Sequence, residues 1–244
     1  VPGAPTVNLN GNGTYSGTIE GTGSTSPSYS IHINSNASIG FLYNRINGEA
    51  LPTVPNPPNP SGNRWVNINQ PNDDPGDFST IKGLSLNSNV GVFEVPAGTY
   101  GNFTANTNSG FRLGTTGAST PDVYNFERLN LNSGSSFEIV GPVLITLKYG
   151  SSFNAPVIGN SAHPEWLIMD VANGGVNLNS NVLFYGHLLA PKGTVGINGG
   201  CVLTGTMTAK RLNLNSNGTI QGVPLESGPP VNEAPTAFAD SLTV

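Results

Sequence analysis

The chain has 244 residues, of which 32 are glycine and 20 are proline, while only 9% are charged. Its net charge of −5 and pI near 5.0 argue against nucleic-acid binding, which needs a basic stripe. No apolar stretch approaches the length of a transmembrane helix, so we predict no direct membrane insertion. The length fits one large domain and a little more.

From the first 40 residues onward, one short phrase of alternating apolar and polar residues returns, each time followed by a polar corner. Apolar residues at alternate positions share one face of a strand, so Leu212 and Leu214 are predicted to point inward and Asn213 outward. The Asn and Gly residues that follow tolerate the left-handed backbone that a sharp corner needs. The copies are VNLNGN (7–12), IHINSN (31–36), LSLNSN (84–89), LNLNSG (129–134), VNLNSN (176–181) and LNLNSN (212–217), with a looser VGINGG (195–200).

The spacing of these copies predicts the architecture. The copies that begin at 176, 195 and 212 are 19 and 17 residues apart, which is close to one circuit of a β-solenoid with rungs roughly 4.8 Å apart. Asn residues at equivalent corners are then expected to form amide ladders. We predict an all-β parallel β-solenoid (a β-helix) over residues 1–222, right-handed because parallel crossovers usually are. A β-sandwich is the alternative, which the repeated phrase disfavours.

Residues 44–80 interrupt the pattern. The stretch LPTVPNPPNPSGNRW contains five prolines, which remove backbone donors and fix φ, so we predict a loop insertion that protrudes or forms an extended arm. Trp65 borders this segment and is a candidate for stacking on the face of a sugar, although packing against strands is the commoner role of such a residue.

An acidic turn lies in the same region. Asn72, Asp73, Asp74 and Asp77 supply the hard oxygen ligands that Ca²⁺ prefers, but their spacing is not that of an EF-hand. A solvated acidic turn is the alternative interpretation. We therefore expect Ca²⁺ binding to be weak, and we predict no other cofactor.

The other residues able to carry chemistry do not converge in the sequence. Cys201 is the only cysteine and lies between apolar strand residues, which indicates a buried structural thiol and not a nucleophile. His32, His163 and His187 lack the spacing of metal ligands. No carboxylate pair marks the chain as a glycoside hydrolase. We predict that the protein is not an enzyme.

The most regular part of the chain resembles a known family. The segments GHLLAP (186–191), VGING (195–199) and GTMTAKRL (205–212) are similar to the solenoid segment of bacterial surface proteins of the choice-of-anchor A type. The resemblance covers about 170–222. It implies an exported cell-surface or matrix protein, often one module of a longer chain, and it brings no catalytic residues with it.

The C-terminal residues resemble a different module. After a Gly/Pro-rich linker at 223–235, residues 236–244 are similar to the opening strand of cadherin-like or Ig-like repeats of adhesins. Phe238, Asp240, Leu242 and Val244 alternate with small residues, as in a strand without its domain. The tail is either the start of a truncated repeat or a strand donated to a neighbouring subunit.

Together these observations predict a non-enzymatic extracellular structural or adhesive protein. Since residue 1 is not Met and no signal peptide is present, we expect a mature or trimmed chain, exported from a bacterium or archaeon. Its expected partners are copies of itself in an oligomer or filament, or other surface proteins, matrix proteins and glycans. The alternative is a carbohydrate-binding or carbohydrate-active β-helix protein, and two close carboxylates in a groove would favour an enzyme.

Overall fold

The structure, a computed structural model, describes residues 51–222 in full. Of the first 50 residues it describes residue 11 and the backbone of four strands. The described residues are all-β, with nineteen strands and two short 3₁₀ helices, Phe78–Thr80 and Pro164–Trp166. The strands are β1 (Thr6–Leu9), β2 (Thr14–Thr22), β3 (Ser30–Ile33), β4 (Ser38–Ile46), β5 (Arg64–Ile68), β6 (Ile81–Leu86), β7 (Gly91–Glu94), β8 (Gly98–Ala105), β9 (Ser109–Leu113), β10 (Asp122–Leu131), β11 (Ser136–Ile139), β12 (Val143–Leu147), β13 (Ser151–Phe153), β14 (Val157–Gly159), β15 (Leu167–Val171), β16 (Val176–Leu178), β17 (Leu183–Ile197), β18 (Val202–Leu214) and β19 (Thr219–Gly222).

Every strand pairing among the described residues is parallel, and the pairings connect into three ladders. The first ladder runs β5, β6, β8, β10, β13, β16, β17, β18, and then continues through β1 and β3. The second runs β7, β9, β11, β14, β17, β18, β19, β2, β4. The third joins parts of β8, β10, β12, β15, β17 and β18. The predicted all-β fold with parallel strands is confirmed.

From β5 to β19 the chain visits the ladders in turn, so that one circuit separates two neighbouring strands of the same ladder. Between β5 and β18, paired residues in the first ladder are as close as 17 residues, between Ile197 and Leu214, and as far as 26, between Ala105 and Leu131. The longer circuits carry extra residues in their turns, as between Leu113 and Asp122. The uneven spacing of the repeated phrase therefore follows from turns of different length around ladders with a continuous register.

The core consists of columns of inward-pointing side chains, and each circuit contributes one residue to each column. Leu212 and Leu214 are 5% and 0% exposed, and Asn213 is half-buried between them, so the predicted alternation is confirmed. Burying a Leu or Phe side chain contributes roughly 1.5–3 kcal/mol, and each circuit adds another to the column. The first-ladder column consists of Ile68, Leu86, Ala105, Leu131, Phe153, Leu178, Ile197 and Leu214, each at most 1% exposed.

An asparagine follows every member of that column, and these residues form a ladder of their own. The backbone N–H of each one after the first donates to the carbonyl of the column residue one circuit earlier, as from Asn198 to Leu178 (3.0 Å). Side-chain amides also bond along the stack, for example from Asn132 to Asn106 (2.8 Å) and from Asn215 to Asn198 (2.8 Å). The predicted amide ladder is confirmed. Its members in the fully described region are Asn69, Asn87, Asn106, Asn132, Asn154, Asn179, Asn198 and Asn215.

The chain turns sharply two residues after most ladder asparagines. Asn89, Asn108 and Asn181 have φ of 66°, 55° and 63° there, and Gly134 and Gly200 have 72° and 75°. Only Asn, Asp and Gly adopt this left-handed conformation readily. The conformation explains why the phrase ends in N-S-N, N-S-G or N-G-G and confirms the predicted corners.

The proline-rich segment lies along the stack as an arm and does not protrude. Val54 is only 3% exposed, Asn56 accepts a hydrogen bond from Asn173, and Asn59 accepts one from the Lys148 ammonium at 2.9 Å. The predicted insertion at 44–80 also contains a ladder strand, because β5 (Arg64–Ile68) pairs with β6.

The arm connects opposite ends of the stack. Strands β1 and β2 pair with β18 and β19, so the N-terminal strands lie at the far end, while β5 begins the first ladder. The nine ladder steps from β3 to β5 amount to about 43 Å. The chain from β4 to β5 reaches that far, since 18 extended residues span about 55 Å.

We expect Asn198→Ala to lower the free energy of unfolding by about 1–3 kcal/mol. The change removes side-chain bonds to the Leu178 carbonyl (3.2 Å) and the Asn179 side chain (3.1 Å), and it removes the acceptor that Asn215 uses. Urea denaturation measures the loss. The control is Asn177→Ala on the exposed side of β16, which should stay within about 0.5 kcal/mol of wild type. Equal effects of the two changes would contradict a special role for the corner.

Candidate functional site

Trp65 lies on the outer side of β5, the first strand of the first ladder, and is 61% exposed. One face of its indole lies against Gly83 on the neighbouring strand, where a Cβ atom would collide with the ring. The backbone of β6 therefore supports the ring while its other face remains open. This geometry suits stacking on a flat apolar surface such as a sugar face, and the glycan role of Trp65 stays a prediction.

The acidic turn predicted to bind Ca²⁺ uses its carboxylates to shape its own backbone. Asp73 accepts from the amides of Asn69 (2.8 Å) and Gln70 (2.9 Å). Asp74 accepts from the amide of Gly76 (2.7 Å).

Asp77 caps the 3₁₀ helix Phe78–Thr80. Its side chain accepts from the amide of Ser79 (2.9 Å), and hydrogen bonds from Ser79 hold the pKa of Asp77 below its ordinary value. Within the described region no three His, Cys, Asp or Glu side chains converge as a metal site. Asn72, the fourth predicted ligand, lies exposed in the same turn, and Ca²⁺ binding stays a prediction.

Arg64 and Phe78 close part of this end of the stack. The Arg64 guanidinium donates to the carbonyls of Pro75 (2.6 Å) and Asp77 (3.0 Å) and to the Thr80 hydroxyl (3.1 Å), which fixes the turn that follows β5. Phe78 then packs edge-on against Tyr100 at 6.3 Å between ring centroids. Phe78 therefore covers the first strand of the third ladder, β8, on which Tyr100 lies.

The second ladder begins differently, because its first strand has an open edge. Among the strands that the structure describes, β7 pairs only with β9. Val92 is 37% exposed, Phe93 is half-buried although it points inward, and a Cβ atom added to Gly91 would meet nothing within 4 Å. No described strand pairs with the outer edge of β7.

A polar groove lies beside β7. Arg112 on β9 bonds Glu138 on β11 (2.8 Å) and contacts Glu94 on β7 (3.4 Å), and the contacts with Glu138, then Glu94, raise the pKa of Arg112. Asp122 and Thr115, joined by a 2.7 Å hydrogen bond, line the same cavity of about 890 Å³.

Three carboxylates line the groove, and two of them, those of Glu94 and Glu138, are paired with one guanidinium. A glycosidase needs one carboxyl group that donates a proton and another that acts as base or nucleophile, whereas Glu94 and Glu138 are both occupied by contacts with the Arg112 guanidinium. The sequence does not show this cluster directly, because Arg112 lies 18 residues from Glu94 and 26 from Glu138. Alignment of the circuits would have found it, since Glu94, Arg112 and Glu138 are register partners.

His187 is buried on the outer side of β17, next to the 3₁₀ helix Pro164–Trp166. Its Nδ1 lies 2.7 Å from the Thr206 hydroxyl, while its Nε2 has no hydrogen-bond partner. Burial lowers the pKa of His187, and the charge of Glu165 partly offsets the effect. On that helix, Trp166 stacks on the His163 ring at 4.0 Å.

Cys201 is a structural residue. Its side chain is fully buried, and its sulfur accepts from the Val182 amide at 3.3 Å. Ser109, at the equivalent corner, accepts from the Val90 amide at 3.1 Å. Burial raises the pKa of the Cys201 thiol, as expected of an inert core cysteine.

The predicted partner residues Phe238, Asp240, Leu242 and Val244 lie outside the described residues, as does the linker at 223–235. No helix in the described part of the chain is long and apolar enough to span a membrane. No family model matches the chain, and no curated protein or solved structure is significantly similar to it.

We expect the stability of the protein to fall as the pH drops below about 6.5. The folded pKa of His187 lies under its ordinary value of 6.5, so the unfolded chain binds more protons in this range. His187→Gln should lose less stability than wild type in thermal unfolding between about pH 7 and pH 5. His163→Gln, in the half-exposed ring next to it, is the control and should keep the wild-type loss. An unchanged pH dependence in His187→Gln would refute this assignment.

Proposed function

We propose that the chain is a β-solenoid that acts as a non-enzymatic structural or adhesive module outside the cell. The observation that carries this proposal is the combination of continuous parallel ladders with an asparagine at every first-ladder corner. Such a stack buries its apolar column along its whole length and pairs its backbone groups between circuits. A rigid rod made this way needs no cofactor, disulfide or catalytic group.

The exported location is part of the same proposal. The resemblance of residues 170–222 to the choice-of-anchor A type supports a surface or matrix protein exported from a bacterium or archaeon. Right-handed coiling is proposed because parallel crossovers are usually right-handed. The scarcity of charge is compatible with this setting, because the outer positions of the ladders hold Ser, Thr and Asn instead. Weak Ca²⁺ binding at the acidic turn remains an accessory expectation.

We further propose that the partner of this module is a second copy of the chain. A stack of parallel strands has two ends, and an uncovered edge strand is a template for another chain. Contacts that join one end to the other do not close and therefore generate filaments. The two routes are direct stacking of ends and donation of the tail, residues 236–244. Other surface proteins, matrix proteins and glycans are additional candidate partners.

An enzymatic function is less well supported. Of the carboxylates in the groove, those of Glu94 and Glu138 share Arg112, and that of Asp122 accepts a hydrogen bond from Thr115. Glycan binding without catalysis has better support, because Trp65 lies flat on Gly83 with one face open. Exposed, supported aromatic rings are suited to binding sugar faces.

We expect long fibres in negative-stain electron micrographs of the concentrated full-length chain. The fibres should disappear when residues 226–244 are deleted, if the tail joins the subunits, and should persist if the ends stack directly. Sedimentation velocity on the same samples checks that the loss is one of assembly. Isolated short rods in both samples would contradict self-assembly.

We expect Trp65→Ala to reduce retention on insoluble polysaccharides such as cellulose, chitin or peptidoglycan several-fold. The free energy of unfolding should change by less than about 1 kcal/mol, because the side chain is mostly exposed. Val123→Ala removes another exposed apolar side chain on a different ladder and is the control. Equal retention of Trp65→Ala and wild type would eliminate the glycan role of this residue.

A further inference from the structure

The open edge of β7 is shaped to accept one more strand. The amides of Gly91 and Val95 donate to the carbonyls of Asn108 and Arg112 on the β9 side. Because alternate residues of a parallel strand bond to opposite neighbours, the N–H and C=O groups of Val92 and Glu94 point away from β9. Four backbone groups of this strand therefore face the open edge, where an added strand finds partners without displacing any element of the described chain.

The side chains of β7 also have a neighbouring strand on one side only, whereas those of the inner strands of the second ladder have one on both sides. In the second ladder Phe93 aligns with Phe111 and then Phe137, which are 1% and 2% exposed. Phe93 is only half-buried because nothing described lies on its outer side. An added strand with an apolar residue at the matching position would complete the column.

We propose that residues 236–244 of a second copy of this chain occupy the open edge of β7 as a parallel strand. This proposal rests on the proposed self-assembly and names the acceptor. The tail alternates as the position requires, with Leu242 and Val244 on one side and small residues on the other. It also has a single charged side chain, Asp240, so that its other side chains can be removed from water without burying a charged side chain.

The charge disfavours one register, and apolar matching at both Phe93 and Val95 favours another. If Phe238 lay beside Phe93, then Asp240 would lie beside Val95, which is 4% exposed, and a carboxylate would be buried without a partner at a large cost. If Leu242 lies beside Phe93, then Val244 meets Val95 and Asp240 meets the open Gly91. The second register buries only apolar side chains. It places Ser241 beside Val92 on the outer face.

A cysteine pair tests this register in the full-length chain. Residues side by side in a parallel ladder have Cα atoms about 4.8 Å apart, within the ~4.4–6.8 Å range of a disulfide. We expect a mixture of Val92→Cys and Ser241→Cys chains to form a disulfide-linked dimer under mild oxidation. The native Cys201 is fully buried and should not compete. Ala237→Cys, on the same side but about 13 Å away, is the control and should form little of the dimer.

The location of the crosslink identifies the occupant. If the Val92→Cys/Ser241→Cys double variant yields only a monomer with an internal disulfide, the tail folds back on its own chain and the second-copy proposal is overturned. If no crosslink forms while the wild-type chain still assembles, β7 is not the acceptor although self-assembly stands. If the wild-type chain remains monomeric and no crosslink forms, both proposals fail.

A second variant tests the edge through its backbone. Val92→Pro removes an N–H that faces the open edge and leaves the bonds between β7 and β9 in place, since proline is tolerated on edge strands. We expect it to abolish assembly in sedimentation velocity as tail deletion does, whereas Val92→Thr keeps the N–H and should assemble normally. Normal assembly of Val92→Pro would overturn the role of this edge.

Discussion

The register between successive circuits is the constraint on which the rest of this structure depends. The side-chain period of a strand is two, so a slip of one residue would turn every apolar member of a circuit outward. The corner asparagines oppose such a slip, because their backbone and side-chain bonds connect each corner to the one before, as from Asn215 to Asn198. The other turns differ in length, yet the ladders stay continuous. The asparagine bonds at each corner bring the next circuit back into register with the one before.

Several of the few charged residues also connect neighbouring circuits. Arg112 joins three neighbouring circuits through Glu94 and Glu138, and Lys148 joins Glu127 and the proline-rich arm. Ion pairs near the surface contribute little to stability because solvent screens them, so they do not hold the fold together. Their value lies in specificity, since each pair forms only when the circuits are aligned. The burial of Cys201 and Ser109 at equivalent corners serves alignment in a similar way.

The local sequence pattern was sufficient to predict the structural features that depend on residues close together in the sequence. The alternation of Leu212 and Leu214, the left-handed corners and the amide ladder could all be read from the phrase. The groove around Arg112 could not, because its members come from three circuits of unequal length and no local pattern relates them. The path of the arm was also beyond local reasoning. Five prolines exclude a ladder strand, but only contacts such as Asn59 with Lys148 place the segment along the stack.

The position of the N-terminal strands has a consequence for folding. Strand β1 pairs with β18 and β2 with β19, near the opposite end of the described chain, so these contacts close loops of about 200 residues. Closing such loops is slow compared with adding the next circuit. The circuits from β5 to β19 are each able to form on the one before, whereas β1 and β2 join the stack only when β18 and β19 are in place. The arm then holds the late strands near their site, because it packs on the circuits already formed.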